Sequence, residues 1–416
     1  MHQIVINGGK PLCGRVSVSG FKNAALPILF ATVLIDDECI ISNIPEISDV
    51  IMTLDILRSM GVKVTQLDET TYRFDSREAT YGRAPCDLVH CMRASLYILG
   101  AELGRFGQTA LSAPGGCNFG ERPIDLHMKA FRALGATMED SPERITGHAD
   151  ALIGASIYLD IVSVGATINA MLASVMAEGQ TIIENAAHEP HIIDLANFLN
   201  ACGASIKGAG TDVIKINGVP KLHGCVHEVI PDMIEAGTFM VAAAVTGGRL
   251  VIDNVIPKHL EAVAAVMREI GVKITEGDES VTVESGAPLT GFHLSTRPYP
   301  GFPTDMHPQM SVLLCLADGV STVTETIFEK RFRYTDELRL MGASIRVDDN
   351  VATIQGGNRL LPASVKAVDL RAGAAMILAG LAARGKTTIS NIELIERGYH
   401  DIVGKMRSVG ADIYME

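Results

Sequence analysis

Two styles of helical hydrophobic pattern take turns along this chain, six times each. In residues 49–61, Val50, Leu54 and Leu57 recur at helical spacing, with Thr53, Asp55 and Arg58 between them. That predicts an amphipathic helix, and Gly61 suits its left-handed C-terminal cap. Equivalent runs end at Gly135, Gly203, Gly271, Gly342 and Gly410, 68 to 74 residues apart. So steady a period marks an internal repeat. The second style is apolar nearly all round, as in residues 24–35, 94–103, 168–177, 239–245, 310–317 and 373–383. Helices without a polar face are normally buried. Stretches rich in Ile, Val and Thr follow at 39–43, 181–185, 250–254 and 387–391, and these predict strands. Each unit thus reads as strands alternating with one buried and one covering helix. Three buried helices suit one core, so six units predict an α/β fold in two domains.

The buried helices begin with polar residues: Lys22 and Asn23, Arg93, Ser163 to Thr167, Asp232, Asp305, and Asp369 with Arg371. N-capping accounts for Asp232, Asp305 and Asp369. It does not account for Lys22, Arg93 or Arg371, because a cation opposes the positive end of the helix dipole. Cations there make sense when an anion also binds there.

Composition narrows the classes. A net charge of −13 argues against a nucleic-acid partner. No basic, apolar N-terminal segment resembles a signal peptide, and the longest apolar runs are too short to span a bilayer. A cytoplasmic protein is the expectation. The eight cysteines show no Cys-x-x-Cys pair, and most are expected to be reduced, buried small hydrophobes. No His, Cys or carboxylate spacing predicts a metal site; His188-Glu189-Pro190-His191 is a weak match. Phosphate-cradling and dinucleotide glycine motifs are missing, so no cofactor is expected.

The linkers before the amphipathic helices are short in three units and break pattern in the other three. In the second unit, residues 113–127 hold a glycine-rich stretch with Cys117 at its tip and Arg122-Pro123 behind it. Pro123 fits a first helical position, which sets Arg122 at the helix mouth. A cysteine on such a loop, near an arginine, is placed for reactivity more than for packing. The fifth and sixth units carry Arg331 and Arg397 in the equivalent linkers.

The segments 19–25, 92–95, 114–117, 122–127, 163–167, 302–306, 369–372 and 396–399, taken together and in order, resemble the UDP-N-acetylglucosamine 1-carboxyvinyltransferases, enolpyruvyl transferases of peptidoglycan synthesis. The resemblance spans essentially the whole chain. It implies an inside-out α/β barrel of two domains, each of three βαβαββ repeats. Residues 22–231 would form one, with the Cys117 lid, and residues 1–21 plus 232–416 the other, the active site lying between them. It implies phosphoenolpyruvate and UDP-N-acetylglucosamine as substrates, and a monomer or weak homo-oligomer with no nucleic acid, membrane or metal partner. Cys117 would donate a proton and be alkylated by the epoxide fosfomycin; Lys22, Arg122 and Arg397 would clamp phosphoenolpyruvate; Asp305 would be the base. Asn23, Arg93, Pro123, Ile124, Asp125, Leu126, Ser163, Val164, Gly165, Ile327, Arg331, Asp369 and Arg371 would complete the substrate sites. Met233, Ile168 and His188 depart from the family pattern. A 3-phosphoshikimate enzyme and a silent sugar-nucleotide-binding paralogue are the competing readings.

Overall fold

A computed structural model describes residues 2–112, 124–286 and 288–416. The chain divides into two compact units, one of Gly20–Ile230 and one of Met1–Ser19 with Pro231–Glu416. The fold is α/β in both.

In the Gly20–Ile230 unit the helices are α1 (Lys22–Ala31), α2 (Ser48–Ser59), α3 (Cys86–Cys91), α4 (Tyr97–Phe106), α5 (Asp125–Ala133), α6 (Val164–Ser174) and α7 (Pro190–Ala201). The three apolar ones, α1, α4 and α6, form the core, with α4 packed on both α1 and α6. They come together because none has a polar face to present to water. The amphipathic α2, α5 and α7 lie outside them. The other unit repeats the plan: α8 (Met233–Thr246), α10 (His307–Leu316) and α12 (Leu370–Ala382) form the core, while α9 (Glu261–Ile270), α11 (Tyr334–Leu340) and α13 (Ile402–Ser408) are the amphipathic set. All six repeat glycines have positive φ, between 84° and 113°, as the left-handed turn after a helix requires. Among the described residues no helix is long and apolar enough to cross a membrane.

Among the described residues the strands form six separate small sheets, three in each unit, and their ladders do not run on into a closed barrel. A complete sheet joins a leading strand, parallel, to a central strand that then pairs antiparallel with a hairpin. Ser156–Tyr158, Gln180–Glu184, Val213–Asn217 and Ser205–Lys207 are one such set. The second repeat departs from the βαβαββ expectation. Its sheet of Gln108–Ser112, Arg144–His148 and Thr137–Asp140 has three strands and no leading strand among the described residues; α3 and a 3₁₀ turn at Arg93–Leu96 precede α4 instead.

The N-terminal segment completes two sheets of the discontinuous unit. Ile4–Gly8 lies antiparallel between Gly385–Ser390 and Ile413–Met415, and Cys13–Ser17 runs parallel to Arg249–Asp253. Ser19 closes the segment: its N–H donates to Glu235 (2.8 Å), and Lys405 donates to its Oγ (2.7 Å) while pairing with Glu235.

Four central strands end in an asparagine with positive φ: Asn43, Asn185, Asn254 and Asn391. Each Nδ2 donates to a carbonyl just beyond the parallel leading strand, Val229, Leu159, Val18 and Ala367 respectively, at 2.7 to 3.3 Å. Asparagine tolerates the left-handed region and offers an amide there. The fifth repeat has Glu325 at this position instead.

Candidate active site

In the Gly20–Ile230 unit, Lys22 opens α1 and its Nζ lies 2.6 Å from Oδ2 of Asp49, in the first turn of α2. Both side chains are largely buried. The cation that opposes the α1 dipole is therefore matched by a carboxylate from the neighbouring helix. Asn23, Arg93, Ser163, Val164 and Gly165 are half-buried at the starts of the same three core elements. Ser163 caps α6, its Oγ accepting from Ala166 N at 3.3 Å. A Cβ on Gly165 would sit 3.1 Å from His127 Cε1, so glycine permits that close approach. Asn169 locks the arrangement: its Nδ2 donates to Leu96 O (3.0 Å) and lies 2.8 Å from His127 Nδ1, and its Oδ1 accepts from Gly100 N (3.0 Å).

Helix α5 begins at Asp125 with Ile124 as its cap, later than a proline-led start at Pro123 would place it. Asp125 is exposed and Leu126 buried. Cys117, Arg122 and Pro123 lie outside the described residues.

The other unit gathers more charge. Asp305 sits between two arginines: Oδ1 is 2.7 Å from Arg331 Nη2, and Oδ2 is 3.0 Å from Nη2 and 3.2 Å from Nε of Arg371. Asp305 caps no helix, contrary to the expectation. It lies within a 3₁₀ turn, Thr304–Met306, and α10 starts afterwards at His307 with no side-chain cap. Asp232 and Asp369 do cap, accepting two backbone N–H groups each at the starts of α8 and α12. Capping by Asp369 fixes the turn that carries Arg371.

Burial alone would raise the Asp305 carboxyl, but the charges and hydrogen bonds of Arg371 and Arg331 outweigh it and hold the group well below the usual carboxylate range. Arg331 and Arg371 are themselves almost wholly buried. Arg331 also donates to Thr304 Oγ1 (3.0 Å), and Thr304 donates to Glu325 (2.7 Å). Glu325 accepts the N–H groups of Ile327 (2.6 Å) and Phe328 (3.0 Å), which sets the linker carrying Arg331. Tyr399 lies against the Arg371 guanidinium, 5.6 Å from ring centroid to Cζ. The buried Nη1 of Arg371 meets no acceptor with hydrogen-bond geometry among the described residues. Asp232 also acts on the Arg371 charge, and Thr304 links Arg331 to the buried Glu325, so the two guanidiniums and their carboxylates form one buried charged cluster. Ile327 is about one-third exposed, and Arg397 is half-buried ahead of α13.

Sequence reasoning missed Asp49, Thr304 and Glu325. The last carried a signal: four central strands end in asparagine, and the fifth repeat breaks that rule at Glu325. Met233 is buried in the first turn of α8, Ile168 is buried in α6, and His188 pairs with Asp212 at 2.7 Å.

This fold and this buried charged cluster have counterparts among known proteins. Residues 6–406 match the family model described as EPSP synthase (3-phosphoshikimate 1-carboxyvinyltransferase). The chain belongs to the enolpyruvyl (carboxyvinyl) transferase family. Among its relatives, UDP-N-acetylglucosamine 1-carboxyvinyltransferase 2 of Clostridium acetobutylicum is 52% identical over 417 residues, covering 100% of both chains. The UDP-N-acetylglucosamine 1-carboxyvinyltransferase of Clostridium botulinum is 50% identical, covering 99% of each. Among solved structures, the enolpyruvyl transferase NikO from Streptomyces tendae superposes with a TM-score of 0.90 at 28% identity, covering 100% of this chain and 98% of that one. EPSP synthase from Acinetobacter baumannii, at 19% identity and a TM-score of 0.78 over 100% of both chains, shares the fold.

Proposed function

We propose that this enzyme transfers the enolpyruvyl group of phosphoenolpyruvate to the 3′-hydroxyl of UDP-N-acetylglucosamine, releasing phosphate, in the cytoplasm. The observation that carries this reading is about half identity along the whole chain to relatives of that name. The reaction is an addition followed by an elimination. C3 of phosphoenolpyruvate gains a proton while the sugar oxygen, losing its own, adds to C2. C3 is then a methyl group in a tetrahedral intermediate. Loss of a proton from C3 and cleavage of the C2–O bond to phosphate restore the double bond.

Lys22, Arg122, Arg331, Arg371 and Arg397 supply positive charge to the phosphate and carboxylate, where charge shifts during the reaction. Asp305 accepts the proton of the attacking hydroxyl. Its two arginines suppress its basicity, so an anionic substrate that draws either guanidinium away would restore it. Cys117 delivers the proton to C3, an assignment resting on sequence resemblance alone. Arg93, Ile124 to Leu126, Ser163 to Gly165 and Ile327 recognise the sugar nucleotide.

The test uses the purified chain with both substrates in heavy water. Phosphate should appear in step with product, the product's vinyl group should carry deuterium, and fosfomycin should stop turnover by alkylating Cys117. Phosphate release with shikimate 3-phosphate but not with the sugar nucleotide would overturn the substrate assignment, and a vinyl group free of deuterium would overturn the mechanism.

A further inference from the structure

Cysteines that sequence spacing leaves scattered come together in the Gly20–Ile230 unit. Of the seven described, Cys39, Cys202 and Cys315 are buried, Cys225 is half-buried, and Cys13, Cys86 and Cys91 are exposed, so burial is less general than expected. Cys39, Cys202 and Cys225 lie with their sulfurs all within 4.8 Å of one another. The Cys202 and Cys225 sulfurs are 3.3 Å apart.

Backbone pairing, not loop accident, holds the three in place. Cys39 is on the central strand Glu38–Ser42. Cys225 immediately precedes Val226–Glu228, the parallel strand beside it, and its carbonyl accepts from Ile40 N at 2.9 Å. Cys202 is the residue after α7, and its carbonyl accepts from His223 N at 2.9 Å. A central strand, its neighbour and a helix end thus aim three thiols at one point.

We propose that Cys39, Cys202 and Cys225 form a three-thiolate site for a soft d¹⁰ metal ion of the Zn²⁺ class. Sulfurs at about 2.3 Å from such an ion stand about 3.8–4.0 Å apart, within the span the three already occupy. Thiolate sets select soft cations over Mg²⁺ or Ca²⁺. A disulfide would need Cys202 and Cys225 to close to about 2.05 Å and would leave Cys39 without a role. Cys39 and Cys202 form the closed floor, and half-buried Cys225 gives the side from which an ion and a fourth ligand, such as water, enter. None of the residues assigned to the transfer reaction belongs to the cluster. The ion would tie strand, strand and helix end together, and so stabilise this unit by binding the folded state.

The test is titration of the full chain, metal-free and reduced, with Zn²⁺, read by native mass spectrometry and thermal unfolding. One equivalent should bind and raise the unfolding temperature. C39S and C225S should each bind about a hundredfold more weakly, while C86S, C91S and C117S bind as the unaltered chain does. X-ray absorption of the zinc-loaded, unaltered chain should show three sulfurs at about 2.3 Å, a readout that stands even if a cysteine variant fails to fold. Binding unaffected by C39S and C225S, zinc held by fewer than three sulfurs, or a Cys202–Cys225 disulfide in place of metal uptake would overturn the proposal.

Discussion

Glu102 of α4 is a fully buried carboxylate on which the charge of Arg144 acts only weakly. It accepts from Gly82 N (2.7 Å), Thr109 Oγ1 (2.6 Å) and Ala110 N (3.2 Å). Burial pushes its carboxyl up to about 7, and those hydrogen bonds pull only part of the way back. The folded chain therefore holds this proton over a range where the unfolded chain has lost it. Stability from Glu102 is fully present below the ordinary carboxyl value and is lost as pH rises towards 7. Relative to Glu102→Gln, the unaltered chain should lose about 2–3 kcal/mol between about pH 5 and about pH 8, measured by urea unfolding. A constant difference across that range would refute it. Asp305 has the opposite sign and a second consequence. Asp305→Asn removes the anion between two buried guanidiniums, so it should cost stability, about 2–3 kcal/mol after allowance for partial exposure, as well as turnover. Normal specific activity in the folded variant would leave Asp305 with the structural task alone. The sequence marked Lys22 and Arg371 as unusual because cations at helix starts oppose the dipole, and it read Asp305 as a cap. Their partners were illegible because Asp49, Arg331 and Arg371 reach them from other elements, and no local pattern records such a meeting.

The helices were the most legible elements, since the contrast between all-apolar and one-sided patterns maps onto core and outer positions. Strand endings were legible too, but their asparagines were not read. Asn254 carries both a left-handed backbone and a hydrogen bond to Val18 O. Asn254→Gly should cost about 1 kcal/mol, for the lost hydrogen bond alone. Asn254→Ala should cost about 2–3 kcal/mol, because alanine also resists positive φ. Equal unfolding midpoints for the two variants would show that backbone conformation contributes nothing there. Apart from its linker the second repeat was read as regular, because its helices and glycine keep the period; the lack of a leading strand among its described residues left no trace in that rhythm. The thiol cluster was hidden for a related reason: its members come from the first repeat, the third, and the strand that follows the third.

At the scale of the molecule, the two units differ in how their chain is distributed. Gly20–Ile230 contains all the strands of its three sheets and all three of its core helices. Expressed alone, residues 20–230 should unfold cooperatively in urea with native-like far-UV dichroism. Residues 231–416 alone lack the strands that pair with Gly385–Ser390 and Arg249–Asp253, so they should show no cooperative transition until residues 1–19 are restored. Cooperative unfolding of 231–416 by itself would mean that those two pairings are dispensable.

That split distribution also sets a timetable during translation. Residues 1–19 leave the ribosome well before their partner strands at 249–253 and 385–390, which are made only after the whole of 20–230. Through that interval two short strands, one of them the apolar Ile4–Gly8, wait with unpaired edges, the kind of surface that recruits wrong partners. A segment synthesised ahead of residues 20–230 is thus settled only after them, and a stalled or truncated message would leave it permanently without a place.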